Sequence, residues 1–264
     1  MTGLAGFGSL ARAWLQAGAG TAYMLTAGVA SREWRGRLVR VAREFGYHHR
    51  PGPAPTLLRV GAAAVADEGT PIVVREAVST DGNVALYELL LLARAVATRS
   101  PVRLFEIGTF DGRTTLNVTA NAPAHAQIFT LDLPPHSTST VLDLDADDVR
   151  FARASTAGTI ARRYHGTTEA RKIVELFGDS ATFDFSQYRA SMDFVFVDGS
   201  HAYEYVLRDS HTALELTAPG GIIFWHDYGA WPGVTRALNE LAERDTHFRA
   251  LRHIEHTSLA FLQP

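Results

Sequence analysis

A glycine-bearing turn between a predicted strand and a predicted helix has the residue types that bind a nucleotide-like ligand. The apolar run ending at Ile107 is typical of a buried strand, and a helical pattern opens at Arg113. Gly108 and Gly112 lie between them, and glycine lets a ligand approach bare backbone. Because the N–H groups at a helix start are unpaired, they favour an electron-rich ligand group.

The side chains of this turn favour a cationic amino-acid group over a dinucleotide. The dinucleotide fingerprint GxGxxG needs a glycine that admits the pyrophosphate, and Phe110 occupies that position. Glu106 would repel a pyrophosphate but suits an ammonium group. Asp132 ends the next predicted strand 26 positions later, close to the spacing at which such folds place an acid on a ribose. An ordinary turn acid is the alternative for Asp132.

Acids and histidines follow two further apolar runs. Asp198 and His201 come after the strongest strand pattern, and His226 and Asp227 come after residues 222–225. If these strands are neighbours, their carboxyl ends meet at one rim of the sheet. Two close carboxylates repel unless one is protonated or a cation lies between them. Either histidine could act as a general base, and a hydrogen-bonded turn histidine is the alternative for each.

Alternating strand and helix patterns must position these residues. Strands are predicted at about 102–107, 127–131, 191–198 and 222–225, two closing strands at 248–254 and 258–262, and helices at about 81–98, 113–120, 168–177, 203–216 and 234–244. This alternation predicts an α/β domain with right-handed parallel crossovers.

The first 50 residues differ in composition from the rest. A short amphipathic helix is expected within Leu10–Leu25, and arginines recur at helical spacing between positions 32 and 43. The proline-rich run at 51–55 cannot be helical and marks a boundary. We expect a helical arm and linker over residues 1–55, packed on the main domain or a second subunit, and a domain over 56–264. A cover over the substrate is the alternative role for the arm.

Residues 134–165 have no clear period and contain acids at positions 143, 145, 147 and 148. A calcium loop would need a central glycine and a closing glutamate, which are missing. We therefore expect a solvated loop, a lid or a substrate loop there.

Composition narrows the class of protein. The chain has 264 residues, 46% of them hydrophobic and 20% charged, which suits one sizeable α/β domain with an extension. It has no cysteine, which excludes disulfides, thiolate zinc sites and a cysteine nucleophile. A net charge of −3 gives no reason to expect nucleic-acid binding. No stretch reads as a membrane span, so a cytoplasmic protein without a membrane partner is expected.

Five segments together resemble class I S-adenosylmethionine-dependent methyltransferases of the group related to metal-dependent sugar and macrolide O-methyltransferases. They are FEIGTFDGRTT, TLDLPP, GDSATFDF, FVFVDGSHAYEYVLRD and PGGIIFWHDY, within roughly residues 75–264. The resemblance implies a Rossmann-like α/β fold with a seven-stranded sheet, last strand antiparallel, flanked by helices. It implies S-adenosyl-L-methionine as cofactor and methyl transfer to a hydroxyl of a small molecule, a sugar or secondary metabolite. A homo-oligomer, expected to be a dimer, completes this hypothesis.

The resemblance also implies residue roles. Asp198 and Asp227 match acids that hold a divalent cation, Mg or Mn, with His226 as a third ligand where several members have an acid. Because histidine suits zinc, iron or manganese better than magnesium, the metal stays open. An acid meets the adenine, for which Asp179 is favoured and Asp184 is the alternative. The expected catalytic residues are His201, His226 and Asp198, and the expected cofactor contacts are Glu106, Gly108, Thr109, Phe110, Gly112, Thr114, Asp132, Leu133, Asp179, Ser180 and Asp198.

Methyl transfer from a sulfonium is an in-line displacement that needs alignment and loss of the acceptor proton, but no general acid. Two other functions stay open. A non-catalytic protein could bind the cofactor as a regulator or assembly module. A nicotinamide oxidoreductase could use a similar sheet, although the missing GxGxxG and the position of Glu106 count against it.

Overall fold

The apolar segments predicted as strands lie side by side in one mixed sheet. The computed structural model of the chain describes residues 3–30, 38, 52–80, 82–137, 139–144, 146–156 and 161–264. Over these residues the sheet has eight strands: β1 Leu58–Val60, β2 Arg103–Ile107, β3 Gln127–Asp132, β4 Ile173–Phe177, β5 Met192–Val197, β6 Thr217–Trp225, β7 Arg252–Ile254 and β8 Ala260–Leu262.

The strand order across the sheet is β1-β7-β8-β6-β5-β2-β3-β4. Neighbouring strands are parallel except where β8 is involved, since β8 runs antiparallel to both β6 and β7. Strands β2 to β8 therefore confirm the predicted sheet of seven with its last strand antiparallel. The short β1 adds an eighth strand at the edge, beside β7, and three residues are too few to give a sequence pattern.

Helices that follow β1 in the chain cover both faces of the sheet. The described α-helices longer than one turn are α1 Gly3–Tyr23, α2 Leu86–Arg99, α3 Arg113–Asn121, α4 Ala146–Thr156, α5 Tyr203–Leu216 and α6 Pro232–Arg244. Phe105 and Ile107 belong to the core on the α5–α6 side, and Leu104 belongs to the core on the α2–α3 side. Side chains alternate along a strand, so Glu106 faces the α2–α3 side with Leu104.

The predicted helix at 168–177 is wrong. Residues Glu169–Lys172 form a single 3₁₀ turn, and Ile173–Phe177 form the edge strand β4, paired with β3. The β-branched residues Ile173 and Val174 favour a strand. A short apolar run has no periodicity that distinguishes a helix from a strand. Pairing with β3 therefore determines that this segment is a strand.

The predicted loop over 134–165 is also wrong in part, because it contains α4. Asp148 lies in the first turn of this helix, where the N-terminus favours a carboxylate. The prediction of a solvated acidic run fails at Asp148, which is buried, and holds at Asp143, which is exposed. Asp145 lies outside the described residues.

The chain divides into two compact units, Met1–His49 and Arg50–Pro264. In the first unit, α1 is followed by a π-helical turn at Met24–Gly28, so the helix expected within Leu10–Leu25 is longer than predicted. The arginines between positions 32 and 43 lie outside the described residues. A functional boundary near residue 55 stays a prediction. In the part of the chain that the structure describes, no helix combines the length and apolarity needed to cross a membrane.

Hydrogen bonds with Tyr228 and Asn239 hold residues 54–57 against the rest of the second unit. The Tyr228 hydroxyl oxygen accepts hydrogen bonds from the backbone N–H groups of Thr56, at 2.7 Å, and Leu57, at 2.9 Å. The same hydroxyl donates to Asn239 Oδ1 at 2.6 Å, and the Asn239 amide donates to the Ala54 carbonyl at 2.9 Å. This segment therefore has fixed partners beside the end of β6.

Candidate functional site

The carboxyl ends of the central strands border a cleft. The turns after β2, β3, β4 and β5 form one side of it, and α4 contributes the other through Asp148, Phe151 and Ala152. Parallel α/β sheets bind ligands at this edge.

The structure places most predicted cofactor residues at this cleft, and some behind it. Those that line it are Gly108, Phe110, Asp132, Leu133, Asp179, Ser180 and Asp198. The remaining ones, Glu106, Thr109, Gly112 and Thr114, are not part of its lining. Their predicted contacts with a cofactor stay predictions.

Glu106 is held by hydroxyl groups of the chain itself. Its Oε2 accepts hydrogen bonds from Thr115 Oγ1 at 2.5 Å and from Thr130 Oγ1 at 2.6 Å. Thr130 Oγ1 also lies 2.6 Å from Thr109 Oγ1. Burial raises the pKa of Glu106 to about 8, against the effect of the two hydroxyl donors. The carboxyl group is therefore a neutral, internally bonded group near pH 7.

The glycines of the turn are required by neighbouring parts of the protein. A Cβ added to Gly108, whose φ is +96°, would lie 2.0 Å from the carbonyl oxygen of Asp198. A Cβ on Gly112, with φ of +75°, would lie 2.5 Å from the Tyr164 ring. The sequence interpretation assigned these glycines to ligand contact, whereas close approach of the chain already excludes a side chain at both.

Asp132 lies where a ribose-binding acid was predicted. Its Oδ2 accepts from the Phe110 N–H at 3.1 Å and from Arg162 Nη2 at 2.9 Å, and its Oδ1 accepts from the Leu133 N–H at 2.9 Å. These donors fix the carboxylate at the cleft wall. Sequence reasoning missed Arg162 because it lies in the segment interpreted as a loop.

Asp179 also lines the cleft, and it forms hydrogen bonds with Tyr205 and with the backbone of Val141. The Tyr205 hydroxyl donates to both carboxylate oxygens at 2.9 Å, and the Val141 N–H donates to Oδ2 at 2.7 Å. Asp184, the alternative adenine ligand, accepts from the Ser186 N–H at 3.0 Å and does not line the cleft.

Asp198, His226 and Asp227 converge where β5 and β6 end. Val197 pairs with Trp225 in neighbouring parallel strands, so the residues that follow come side by side. His226 Nδ1 lies 3.1 Å from Asp198 Oδ1 and 3.1 Å from Asp227 Oδ2. One donor atom from each of the three residues lies within 4.8 Å of the others, a spacing that could hold a metal ion.

Glu88 from α2 holds the other side of the His226 ring. His226 Nε2 lies 3.2 Å from Glu88 Oε2, while Glu88 Oε1 accepts from the Ser258 N–H and hydroxyl at 2.6 and 2.8 Å. Sequence reasoning missed Glu88, although a single acid in the nearly all-apolar run of α2 was an available signal. Burial would raise the pKa of Glu88, but the charge on His226 and the hydrogen bonds from His226 and Ser258 together outweigh burial, so the pKa is lowered.

His201 is held between two carboxylates. Its Nε2 lies 2.8 Å from Asp227 Oδ2, its Nδ1 contacts Asp148 Oδ1, and its ring stacks on Trp231 with centroids 3.7 Å apart. Burial alone would lower the pKa of His201, but the hydrogen bonds with Asp148 and Asp227 raise it to about 9. Since each nitrogen needs a proton to donate, His201 has no free lone pair in this arrangement. Its predicted role as a base stays a prediction.

The cluster is rich in negative charge. Glu88, Asp148, Asp198 and Asp227 surround the two imidazoles of His201 and His226. Burial would raise the pKa of Asp227, but the charge on His226 and the bond from His201 hold it well below its usual range. Burial raises the pKa of Asp198. Such a group favours an added proton or cation.

Residues 105–228, which contain the glycine turn and every member of this cluster except Glu88, match the family model described as a methyltransferase domain. These residues form a methyltransferase domain. The resemblance to S-adenosylmethionine-dependent methyltransferases is therefore confirmed, and the protein is an enzyme of that kind.

Solved structures of other methyltransferases are also similar to the chain. The O-methyltransferase TomG from Streptomyces achromogenes, involved in tomaymycin synthesis and in complex with SAM, is 20% identical, with 69% of this chain and 80% of that chain covered and a TM-score of 0.46. The SAH-bound Podospora anserina methyltransferase PaMTH1 is 14% identical, with 69% and 79% covered and a TM-score of 0.47. The Bacillus cereus O-methyltransferase in complex with SAH is 15% identical, with 69% and 81% covered and a TM-score of 0.44. No protein of curated function matches the sequence.

One further acid of the methyltransferase domain was missed from the sequence. Asp111 is buried in the turn after β2 and accepts from Asn83 Nδ2 at 2.9 Å, Arg163 Nη2 at 2.7 Å and the Arg113 N–H at 3.0 Å. It joins the turn to two distant segments, so its role is visible only once the chain is folded.

Proposed function

We propose that the enzyme transfers the methyl group of S-adenosylmethionine to a hydroxyl of a small molecule, a sugar or other secondary metabolite, with help from a divalent cation. The observation that carries the proposal is the convergence of Asp198, His226 and Asp227 at the edge of the cleft. Asp198 lines the cleft as well as the cluster, so an acceptor placed at the cluster would face the cofactor.

The donor set fits a divalent cation. Metal-binding histidines usually donate their second ring N–H to a carboxylate, and His226 Nε2 faces Glu88. When a cation replaces the proton on Nδ1, this nitrogen has a lone pair towards Asp198 and Asp227. Two carboxylates with one imidazole suit Mn²⁺ better than Mg²⁺. When bound, such a cation lowers the pKa of a coordinated hydroxyl.

The other residues align the two reactants. Asp132 at the end of β3 is proposed to bind the ribose hydroxyls, and Asp179 with Ser180 the adenine. Phe110 and Phe151 line the cleft with apolar rings whose centroids lie 6.2 Å apart, and they limit water near the transferred methyl group. Because a sulfonium leaves without a proton, alignment supplies most of the acceleration.

A metal-free variant of the reaction has one observation in its favour. The equal 3.1 Å distances from His226 Nδ1 to Asp198 and Asp227 also suit a protonated imidazole that occupies the position of the cation. In that case a carboxylate of the cluster would take the acceptor proton.

Chelation separates these versions. Enzyme treated with a chelator should lose methyl transfer in a screen of hydroxylated acceptors with labelled S-adenosylmethionine, and Mn²⁺ should restore it. Full activity after chelation, with no response to Mn²⁺ or Mg²⁺, would favour the metal-free version. Calorimetric binding of S-adenosylmethionine without turnover of any acceptor would instead favour the non-catalytic alternative.

A dimer, a cytoplasmic location and an arm over residues 1–55 complete the proposal. The change of composition at the proline-rich run 51–55 supports such an arm. Light scattering on the full chain and on a chain lacking residues 1–49 should give a dimer and an altered state, respectively. A folded, cofactor-binding remainder with an unchanged state would rule out the arm as a subunit contact.

A further inference from the structure

Asp148 extends from α4 into the candidate site. The proposed reaction assigns no role to any charged side chain of this helix. The side chain is 4% exposed. Its Oδ2 accepts from Ser200 Oγ at 2.7 Å and from the His201 N–H at 2.9 Å, and its Oδ1 contacts His201 Nδ1. All three contacts are therefore with the loop after β5.

These contacts fix one ring. His201 meets Asp148 through Nδ1, Asp227 through Nε2 at 2.8 Å, and the Trp231 ring through its face at an angle of 11°. Rotation about either side-chain bond would break at least one of these contacts. The position of the ring thus depends on Asp148 on one side and determines the contact with Asp227 on the other.

Asp227 needs such support. Its φ is +66°, in the left-handed region that few residues other than glycine adopt. Residues held there in functional sites persist because their surroundings over-determine the conformation. His201 and His226 are the two imidazoles that contact the Asp227 carboxylate.

We propose that Asp148 is a positioning residue, which acts through His201 to fix the Asp227 carboxylate towards Asp198 and His226. This inference rests on the proposed function, since Asp227 matters for catalysis only if the cluster faces the acceptor. Glu88 makes the matching contact with His226, so each imidazole has one outer carboxylate. Asp148 differs from Glu88 because its helix, α4, also lines the cleft. The position of α4 therefore affects the position of the Asp227 carboxylate.

The chemistry requires a carboxylate at this position. One oxygen serves Ser200 and the His201 backbone, and the other serves His201 Nδ1. Asparagine keeps the first oxygen but turns an NH₂ group towards Nδ1–H, so Asp148→Asn should release the ring without leaving a cavity. Asp148→Ser removes the carboxylate without burying an amide and serves if the first variant does not fold. Asp143→Asn, an exposed acid of the same run, is the matched control.

Kinetics provide the first measurement. Asp148→Asn should lower kcat by about 10- to 100-fold, the usual cost of losing an outer carboxylate. KM for the acceptor and the Kd for S-adenosylmethionine should change by no more than about twofold, because asparagine keeps the size of the Asp148 side chain at the wall of the cleft. Asp143→Asn should match the parent enzyme in all three.

A second measurement does not depend on turnover. In full-length protein with ¹⁵N-labelled histidine, the ring Nδ1–H of His201 should give a signal protected from solvent exchange, assigned by its loss in His201→Gln. The signal should disappear in Asp148→Asn and remain in Asp143→Asn. If it remains in Asp148→Asn, or if kcat stays within twofold, the positioning role is wrong. If the signal is lost as expected but the parent protein methylates no acceptor, the proposed function fails and the contact is retained.

Discussion

The two sides of the cleft are built in different ways. In the turn after β2, Glu106, Asp111 and the glycines are satisfied or constrained by groups of the protein itself. In the cluster after β5 and β6, buried carboxylates from α2 and α4 and half-buried carboxylates from two strand ends surround two imidazoles. The acids of the turn have their hydrogen-bond partners within the protein, whereas the cluster has more carboxylates than imidazoles. The motif that identifies the fold is therefore not the part of the molecule that identifies its chemistry.

A substitution in the turn should break the fold. Gly108→Val would push a branched side chain against the Asp198 carbonyl, which lies 2.0 Å from an added Cβ, at a φ that valine avoids. We expect a loss of at least about 3 kcal/mol in the free energy of unfolding, seen by urea denaturation. Gly61→Val, where nothing lies within 4 Å, is the control. A folded Gly108→Val protein with normal stability would show that the turn is not constrained by its neighbours.

A substitution in the cluster should spare the fold and remove activity. Asp227→Asn keeps the shape but removes a charge that faces both histidines. We expect kcat to fall by about 100-fold or more, since a metal site supplies several kcal/mol. The Kd for S-adenosylmethionine, measured by calorimetry, should remain within about twofold. Undiminished turnover by Asp227→Asn would remove this residue from the mechanism.

Between these extremes, Asp132→Asn should weaken the cofactor alone. A hydrogen bond to a charged group contributes about 1.5–3 kcal/mol, so the Kd for S-adenosylmethionine should rise by roughly 10-fold or more. Rates at saturating cofactor should change little. Asp193→Asn is the control, because this acid accepts the Val102 and Arg103 N–H groups at the other end of the strands. Equal cofactor affinity in both variants would contradict the ribose assignment.

The smallest effect is expected at Glu106. Its folded pKa of about 8 lies above the ordinary value of 4.5, so the folded chain retains a proton that the unfolded chain loses. This contribution to stability is complete below about pH 4.5 and is lost as the pH rises to about 8. Glu106→Gln should therefore match the parent at about pH 4 and exceed it by about 1 kcal/mol or more at about pH 9 in urea denaturation. An identical pH dependence in both proteins would show that Glu106 is ionised in the fold.

Strand ends were the most predictable part of the site. Asp132, Asp179, Asp198 and Asp227 each follow an apolar run, and parallel strands bring such positions to one edge. Asp179 lies at the cleft even though β4 was predicted as a helix, because the glycine before it marks the end of either element.

The outer partners could not be predicted. Glu88, Asp148 and Arg162 lie far in sequence from the residues they contact, and no local spacing encodes those contacts. Asp148 was hidden further by a helix whose polar, low-periodicity sequence resembles a loop. The residues that bear reactive groups were thus visible in the sequence, but those that orient them were not.

The Tyr228 hydroxyl connects the first residues of the domain with the candidate site. Tyr228 follows Asp227 directly in the chain, and its hydroxyl accepts hydrogen bonds from the N–H groups of Thr56 and Leu57. A displacement of residues 56–57 is therefore transmitted to the residue next to a carboxylate of the cluster. Cutting the chain after Leu57 would remove both donors and free the oxygen to find water. The choice of N-terminal boundary, or of a protein fused there, therefore acts one residue away from the candidate site and should be reported alongside any rate measured for the enzyme.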